Sequence, residues 1–285
     1  MSNQEEVEVS YDVGNEFFRL WLDEKMNYTC GIYEGTDNLE EAQVKKLEWL
    51  ADAAHVTPEK RVLDIGCGWG ADVEHLVTRR HAKQAVGITL SRSQAEECQR
   101  RELPNAEFIV TDYRDFVPKE KFDAVISICM MEHIATPEQV REGKHIGMYR
   151  DYFRRAWEWT NPGSWFGLQT ILRNKVPRIK EDLVDINWLT YAIFPGGLSL
   201  RLEDIVKAVN PYWEIVEIKT RRVDYQKTTA EWLRRMHLHE EHIRKTWGDV
   251  IFDDYDRYLR TCVRGFEMHY QSLAQYSLHR IDSIR

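Results

Sequence analysis

One nine-residue stretch constrains this chain more than any other. Val62-Leu63-Asp64-Ile65-Gly66-Cys67-Gly68-Trp69-Gly70 runs an apolar strand straight into three glycines at alternate positions. Such glycines let the backbone turn tightly and approach a ligand at the N-terminus of the next helix. The surrounding pattern alternates strands with helix-compatible stretches. Strands are expected over 61–66, 84–89, 106–112 and 122–129. A fifth follows over 164–172, after a helix from Met148 to Thr160 stopped by a turn at Asn161-Pro162-Gly163. Strands separated by helices in this way require a parallel sheet with crossover connections. The expected fold is α/β, with a Rossmann-like sheet.

Helices frame that sheet in the sequence. Glu16 to Leu22 and Leu39 to Ala54 have helical apolar spacing, and Asn38 is a cap for the second. Beyond 172 the alternation lapses. A helix from Asp182 to Phe194 ends at Pro195-Gly196-Gly197, a short helix covers Leu202 to Val209, and a strand covers 213–219. Residues 228–270 read as largely helical, and Ser272 to His279 as a closing edge strand. The organisation expected is one unit over 1–285: N-terminal helices to 55, a binding core over 56–172, then a substrate cap with closing strands over 173–285.

The net charge is −8 and no long Lys/Arg run occurs, so the electrostatic footprint of a nucleic-acid binder is missing. The first ten residues are polar and acidic, and no apolar run approaches about 18 residues. The expectation is a cytoplasmic protein with no stable membrane insertion. Five cysteines (Cys30, Cys67, Cys98, Cys129 and Cys262) lie scattered without CxxC spacing, and the histidines of 237–242 lack HExxH spacing, so no metal is expected.

Asp64 selects among ligands for the glycine turn. An acid pointing into it repels a pyrophosphate but suits the cationic amino group of a methionine moiety. Thr89-Leu90-Ser91 ends the second strand where a dinucleotide site wants an acid for the ribose, and no GK[ST] follows the glycines. Those features favour S-adenosylmethionine (SAM) over a nicotinamide cofactor. Thr89, Ser91 and Gln94 can supply neutral hydrogen bonds, although Ser91 also suits a helix cap. Asp112 can accept from an adenine amino group with Tyr113 walling the base; a helix N-cap is the plainer role for Asp112. Glu132 and His133 follow the fourth strand, where a carboxylate can bind an ion, orient a water or remove a proton. Tyr28, Tyr33, Trp188, Tyr191 and Tyr225 can face a developing cation, but each is also ordinary core material. Cys30 has no activating histidine nearby in sequence and reads as a wall.

Several segments, in order along the chain, carry a wider match: 11–23 (YDVGNEFFRLWLD), 27–35 (NYTCGIYEG), 38–50 (NLEEAQVKKLEWL), 62–70, 88–94 (ITLSRSQ), 130–134 (MMEHI), 169–171 (QTI), 191–197 (YAIFPGG) and 224–232 (DYQKTTAEW). With them the chain resembles the cyclopropane fatty acid and mycolic acid cyclopropane synthases. The resemblance implies a class I methyltransferase fold, with SAM held by Tyr28, Asp64, Gly66, Cys67, Gly68, Thr89, Leu90, Gln94, Asp112 and Tyr113. It also implies a bicarbonate ion near the sulfonium, with Cys30, Glu132, Gln169, Ile171 and Tyr225 as the catalytic set. Archetypal members carry His where this chain has Gln169, and Gln can donate to an anion but does not titrate. The implied activity is methylation of carbon, giving a cyclopropane or a methyl branch on an unsaturated acyl chain or specialised metabolite; the alternative is N- or O-methylation of a soluble small molecule. The substrate expected is small-molecule, acyl or carrier-bound, and a homo-oligomer is compatible with the sequence. The insertion 135–150, with Lys144 and His145, is longer than the lipid enzymes lead one to expect. A dinucleotide oxidoreductase is disfavoured by Thr89, and a non-catalytic SAM binder by Glu132 and Tyr225.

Overall fold

The computed structural model describes residues 13–283. Tyr11 and Asp12 of the first matched segment, and the acidic N-terminus, lie outside the described residues. Seven strands, β1 (Arg61–Ile65), β2 (Gln84–Thr89), β3 (Ala106–Val110), β4 (Phe122–Ile128), β5 (Thr160–Arg173), β6 (Trp213–Thr220) and β7 (Gln271–Arg280), form one sheet in the order β3-β2-β1-β4-β5-β7-β6. The first five are parallel and β7 runs antiparallel to both its neighbours. The α/β sheet expected from the alternation is present, and the strand order reverses at β1, where the glycine turn emerges.

Eleven helices accompany the sheet among the described residues: α1 (Asn15–Arg19), α2 (Leu39–Ala53), α3 (Ala71–Thr78), α4 (Arg92–Gln99), α5 (Pro137–Arg141), α6 (His145–Glu158), α7 (Lys180–Ala192), α8 (Leu202–Val209), α9 (Arg222–Leu238), α10 (Glu240–Trp247) and α11 (Asp249–Glu267). Asn38 caps α2 as expected, its side chain accepting from Glu41 N at 3.0 Å.

Three expectations need correction. The segment Ser272–His279 is not an edge: β7 is slotted between β5 and β6, and β6 is the edge strand. Burial shows why, since all but two residues of β7 are buried while β6 exposes Glu214, Val216, Glu217, Ile218 and Thr220, and its charges blunt the edge. The turn expected at Asn161-Pro162-Gly163 is instead the start of β5, accommodated by a register irregularity opposite Phe122 and Ala124 and by Gly163 at φ 76°. Finally α9 begins at Arg222 rather than near 228, which puts Tyr225 in the first turn of a helix.

Two apolar layers cover the sheet. One joins β-strand side chains to α6 and α8 through Tyr152, Phe153, Phe166 and Trp213; the other joins them to α2, α3 and α4 through Leu50, Val62, Val73 and Cys98. A third cluster is rich in aromatic rings. It knits α1 to the C-terminal helices, with Phe17 edge-on to Tyr255 at 4.6 Å and Trp21 to Trp232 at 5.9 Å. Trp69 ties the glycine turn into that cluster, its indole N–H donating to Asn15 at 2.9 Å and its ring 5.2 Å from Phe18. The ligand-facing turn and the helical cap are thus one packed unit.

Candidate active site

A cavity of about 500 Å3 opens at the carboxyl ends of β1, β2 and β4 and runs beneath the helical cap. A crevice at the point where strand order reverses is the place where α/β sheets bind ligands. Of the expected residues, Tyr28, Asp64, Gly66, Cys67, Gly68, Thr89, Leu90, Gln94, Asp112, Tyr113, Glu132, Ile171 and Tyr225 all line it.

The glycine turn shapes the near end. Gly66 has φ 86°, and a Cβ on it would lie 2.8 Å from Met130 Cγ; Gly68 has φ 53° and no heavy atom within 4 Å of a Cβ position. The first glycine therefore seals the turn against β4, and the second leaves open space against the backbone. Asp64 is 2% exposed, its Oδ1 has no protein partner, and neither oxygen of the equally buried Asp72 has one. Burial pushes the Asp64 carboxyl well up, with the Asp72 charge adding to the effect and Lys46 opposing it. Burial likewise raises Asp72 to about 7, against the pull of Lys46.

Lys46 is 1% exposed and donates to Asn27 Oδ1 at 2.7 Å and Thr29 Oγ1 at 3.3 Å. Two buried carboxylates with unfilled acceptors, one ammonium and an open glycine beside them fit a zwitterionic amino-acid group. Neither Lys46 nor Asp72 stood out in the sequence. A signal existed for Lys46, which falls in the buried stripe of α2 with Leu39, Ala42, Gln43, Leu47 and Leu50.

Along the second strand, Thr89 Oγ1 accepts from Ser91 N at 3.2 Å and lies 3.3 Å from Gln94 Oε1; Ser91 caps α4, taking Gln94 N at 3.3 Å. Ser91 thus has the structural role, while Thr89 and Gln94 face the cavity. Asp112 starts no helix. Its carboxylate takes Arg114 N at 2.8 Å and pairs with the Arg114 guanidinium. Burial works to raise this carboxyl, but the Arg114 hydrogen bonds outweigh it and leave the pKa lowered. Tyr113 packs edge-on to Tyr152 at 5.4 Å.

At the centre, Cys129, the residue just past β4, has φ 53°, a left-handed conformation uncommon for a residue with a Cβ, and a 3-10 turn over Met131–His133 follows. This bend brings Glu132 under the cap, where its Oε1 accepts from Ile171 N at 2.5 Å while the buried Oε2 has no protein partner. Burial raises the Glu132 carboxyl to about 7, the Ile171 N–H pulling the other way. Burial lowers the His133 imidazole, which is neutral near pH 7. Tyr225 stacks on Phe266 at 4.5 Å. Tyr28, Phe194, Tyr258 and Phe266 complete an aromatic chamber beyond Glu132, and Pro137 and Arg141 of the 135–150 segment join the wall. Of the other aromatic candidates, Tyr191 lines the cavity and Tyr33 and Trp188 do not.

Two expected residues are not brought to the cavity. Cys30 is fully buried behind it, its thiol on Gly31 O at 3.1 Å, and burial holds the thiol pKa well up, so it is an inert packing group. Gln169 is also fully buried and donates to Cys129 Sγ at 3.6 Å. Of the donors expected to hold bicarbonate, Ile171 N–H is spent on Glu132, Gln169 on Cys129 and Cys30 on its own chain, which leaves the Tyr225 hydroxyl as the one side-chain donor of that set at the cavity. One hydroxyl beside the Glu132 carboxylate is a poor fit for that anion.

The family profile described as mycolic acid cyclopropane synthetase matches residues 1–276. The chain belongs to this family. It is 30% identical over 257 residues to a cyclopropane-fatty-acyl-phospholipid synthase of Escherichia coli K12, covering 90% of this chain and 63% of that protein's length. It is 28% identical over 294 residues to cyclopropane mycolic acid synthase 2 of Mycobacterium bovis, covering 96% of this chain and 94% of that protein. Its fold is that of the cyclopropane synthase MmaA2 from Mycobacterium tuberculosis, with a TM-score of 0.89 at 24% identity over 98% of this chain and 99% of that one. Coclaurine N-methyltransferase shares the fold at a TM-score of 0.75 and 20% identity, over 97% of this chain and 86% of that one. The sheet is therefore the class I methyltransferase sheet, as the matched segments implied.

Proposed function

We propose that this chain transfers a methyl group from SAM to carbon of an unsaturated acyl chain or a comparable alkene, closing a cyclopropane or leaving a methyl branch. One observation carries the reading: the cavity passes without interruption from the Asp64–Gly68 turn, across Glu132, into a chamber walled by Tyr28, Phe194, Tyr225, Tyr258 and Phe266. SAM supplies the electrophilic methyl.

The chain's own residues bind, orient and handle the proton. Asp64 and Asp72 offer acceptors to the ammonium of the methionine moiety, Lys46 is the cation available to its carboxylate, and Thr89, Gln94, Asp112 and Tyr113 lie along the path of the nucleoside. Aromatic faces favour positive charge developing on an alkene without attacking it. Glu132 is the only carboxylate at the centre of the cavity among the described residues. With its pKa near 7 it is poised to take the proton released as a ring closes, or the one lost from an adjacent chain carbon when an intact methyl branch is left on an alkene. Methylation of nitrogen is the second reading, favoured by the same carboxylate, which can deprotonate an amine before transfer.

Product analysis with SAM deuterated in its methyl group tests the proposal against an unsaturated acyl substrate. A product carrying two of the deuteriums in a ring, or three in a methyl branch on carbon, is expected. Label found only on nitrogen or oxygen overturns the carbon reading.

A further inference from the structure

Behind the cavity wall, four side chains from four different elements form a buried line. Arg221, just before α9, donates from Nε to Gln275 Oε1 on β7 at 2.9 Å; Gln275 Nε2 donates to Gln169 Oε1 on β5 at 2.8 Å; Gln169 Nε2 donates to Cys129 Sγ just past β4 at 3.6 Å. Gln169 and Gln275 are fully buried and Arg221 is 4% exposed, its far end paired with Glu34.

The direction of this line is fixed by chemistry. A guanidinium has donors and no acceptor, so Gln275 must turn its oxygen to Arg221. That leaves the Gln275 amide hydrogens for Gln169, which must accept there and turn its own hydrogens to Cys129. The sulfur is then an acceptor, and its single hydrogen is left for the cavity side, which Cys129 shares with Glu132, whose buried Oε2 has no hydrogen-bond partner.

We propose that Arg221, Gln275 and Gln169 are positioning residues, a one-way hydrogen-bond relay anchored by a guanidinium that holds the Cys129 thiol hydrogen toward the Glu132 carboxylate. The inference rests on the reading of Glu132 as the proton acceptor. It gives Gln169 a function that needs no titration: the relay fixes which way its amide points. None of the three relay residues touches the cavity, and Cys129 is the point at which the relay meets it.

The discriminating variant is Gln275→Glu. A carboxylate there still accepts from Arg221, so the buried cation keeps a partner, but it has no hydrogen for Gln169. The Gln169 amide then turns over, and its oxygen draws the thiol hydrogen away from Glu132. The readout is the infrared S–H stretch of Cys129, assigned by difference against Cys129→Ala in the full chain and followed with pH. Other groups sensing Glu132 are Tyr149 and Tyr152 on α6, Tyr225 on α9 and Tyr276 on β7, none of which absorbs in that band.

In the parent protein the band is expected to shift as Glu132 titrates near pH 7. In Gln275→Glu it should no longer follow that titration, turnover should fall about tenfold, and binding of S-adenosylhomocysteine should stay within about twofold. Gln275→Met, which removes the amide without adding charge, should give the same loss of coupling. A band that tracks the Glu132 titration equally in parent and variants overturns the relay. Because the spectrum needs no substrate, a failed relay is distinguishable from a failed assignment of the reaction, which would show as a relay-coupled band in a protein that makes no C-methylated product.

Discussion

The carboxylate of Glu132, on the turn after β4, accepts the backbone N–H of Ile171 on β5 at 2.5 Å and so bridges two adjacent strands above the cavity floor. Glu132→Gln keeps an oxygen for that N–H, so the fold should survive while the base is lost. Turnover is expected to fall by about 10²–10⁴-fold. Because the active form is the carboxylate and burial raises its pKa to about 7, the parent rate should climb with pH through that value and level off above it. The variant should lack this limb, and a retained limb in kcat would reject the assignment.

Asp64 and Asp72 make the protein without ligand sensitive to pH. Both carboxyls titrate higher in the fold than the ordinary 3.8, Asp72 near 7. A group raised on folding contributes stability when protonated, fully below its unfolded pKa, and loses it as pH rises to the folded one. The melting temperature should therefore drop between about pH 4 and pH 7, less so in Asp72→Asn. Saturating S-adenosylhomocysteine, whose ammonium is proposed to face the pair, should reduce the drop. Thermal melts across that range, with and without ligand, make the comparison; a slope unaltered by Asp72→Asn is the contrary result.

Lys46→Met preserves length and apolar packing in the stripe of α2 but leaves Asn27 Oδ1 and the buried Asp23, Asp64 and Asp72 without their cation. Removing one partner from a buried charged cluster costs about 3–5 kcal/mol. Urea unfolding of the variant should show a loss of that order, and a near-neutral result would mean the lysine is not the counter-charge.

Gly66 and Gly68 should fail in different ways when changed to Ala. At Gly66 the new Cβ meets Met130 at 2.8 Å with φ 86°, so folding itself should suffer, by about 1–3 kcal/mol from backbone strain plus the clash. At Gly68 the Cβ meets no protein atom. There the backbone cost is about 1–2 kcal/mol and the larger effect should be on ligand affinity, because the methyl enters the space next to the turn. Melting temperature and calorimetric binding of S-adenosylhomocysteine, measured together, separate the two; equal affinity in parent and Gly68→Ala would show that no ligand approaches that backbone.

Much of this was legible before the structure. The pattern around 61–129 specified the parallel strands, because alternation of buried strand and amphipathic helix is written into each stretch of about ten residues. The cavity's lining was legible where it sits at the sheet's carboxyl edge: Asp64 and Thr89 lie in the last positions of β1 and β2, Gln94 in the helix after β2, and Asp112 and Glu132 just beyond β3 and β4, and parallel strands deliver their carboxyl ends to one edge. Lys46 was readable in principle as a charge in an apolar stripe. Asp72, in the first turn of α3, looks in sequence like any acid near a helix N-terminus.

What the chain's order of residues determined by itself was the α/β sheet, the glycine turn and the acid set into it, since these depend on local backbone preference and on neighbours a few positions away. Tertiary structure alone decided that β7 threads between β5 and β6, that Cys129 bends at φ 53°, and that Cys30 and Gln169 stand behind the cavity wall while Lys46 and Asp72 line it. The reason is physical. Whether a side chain meets a ligand, or only another side chain, depends on which distant strands lie beside its own, and that choice is made by packing across the whole sheet.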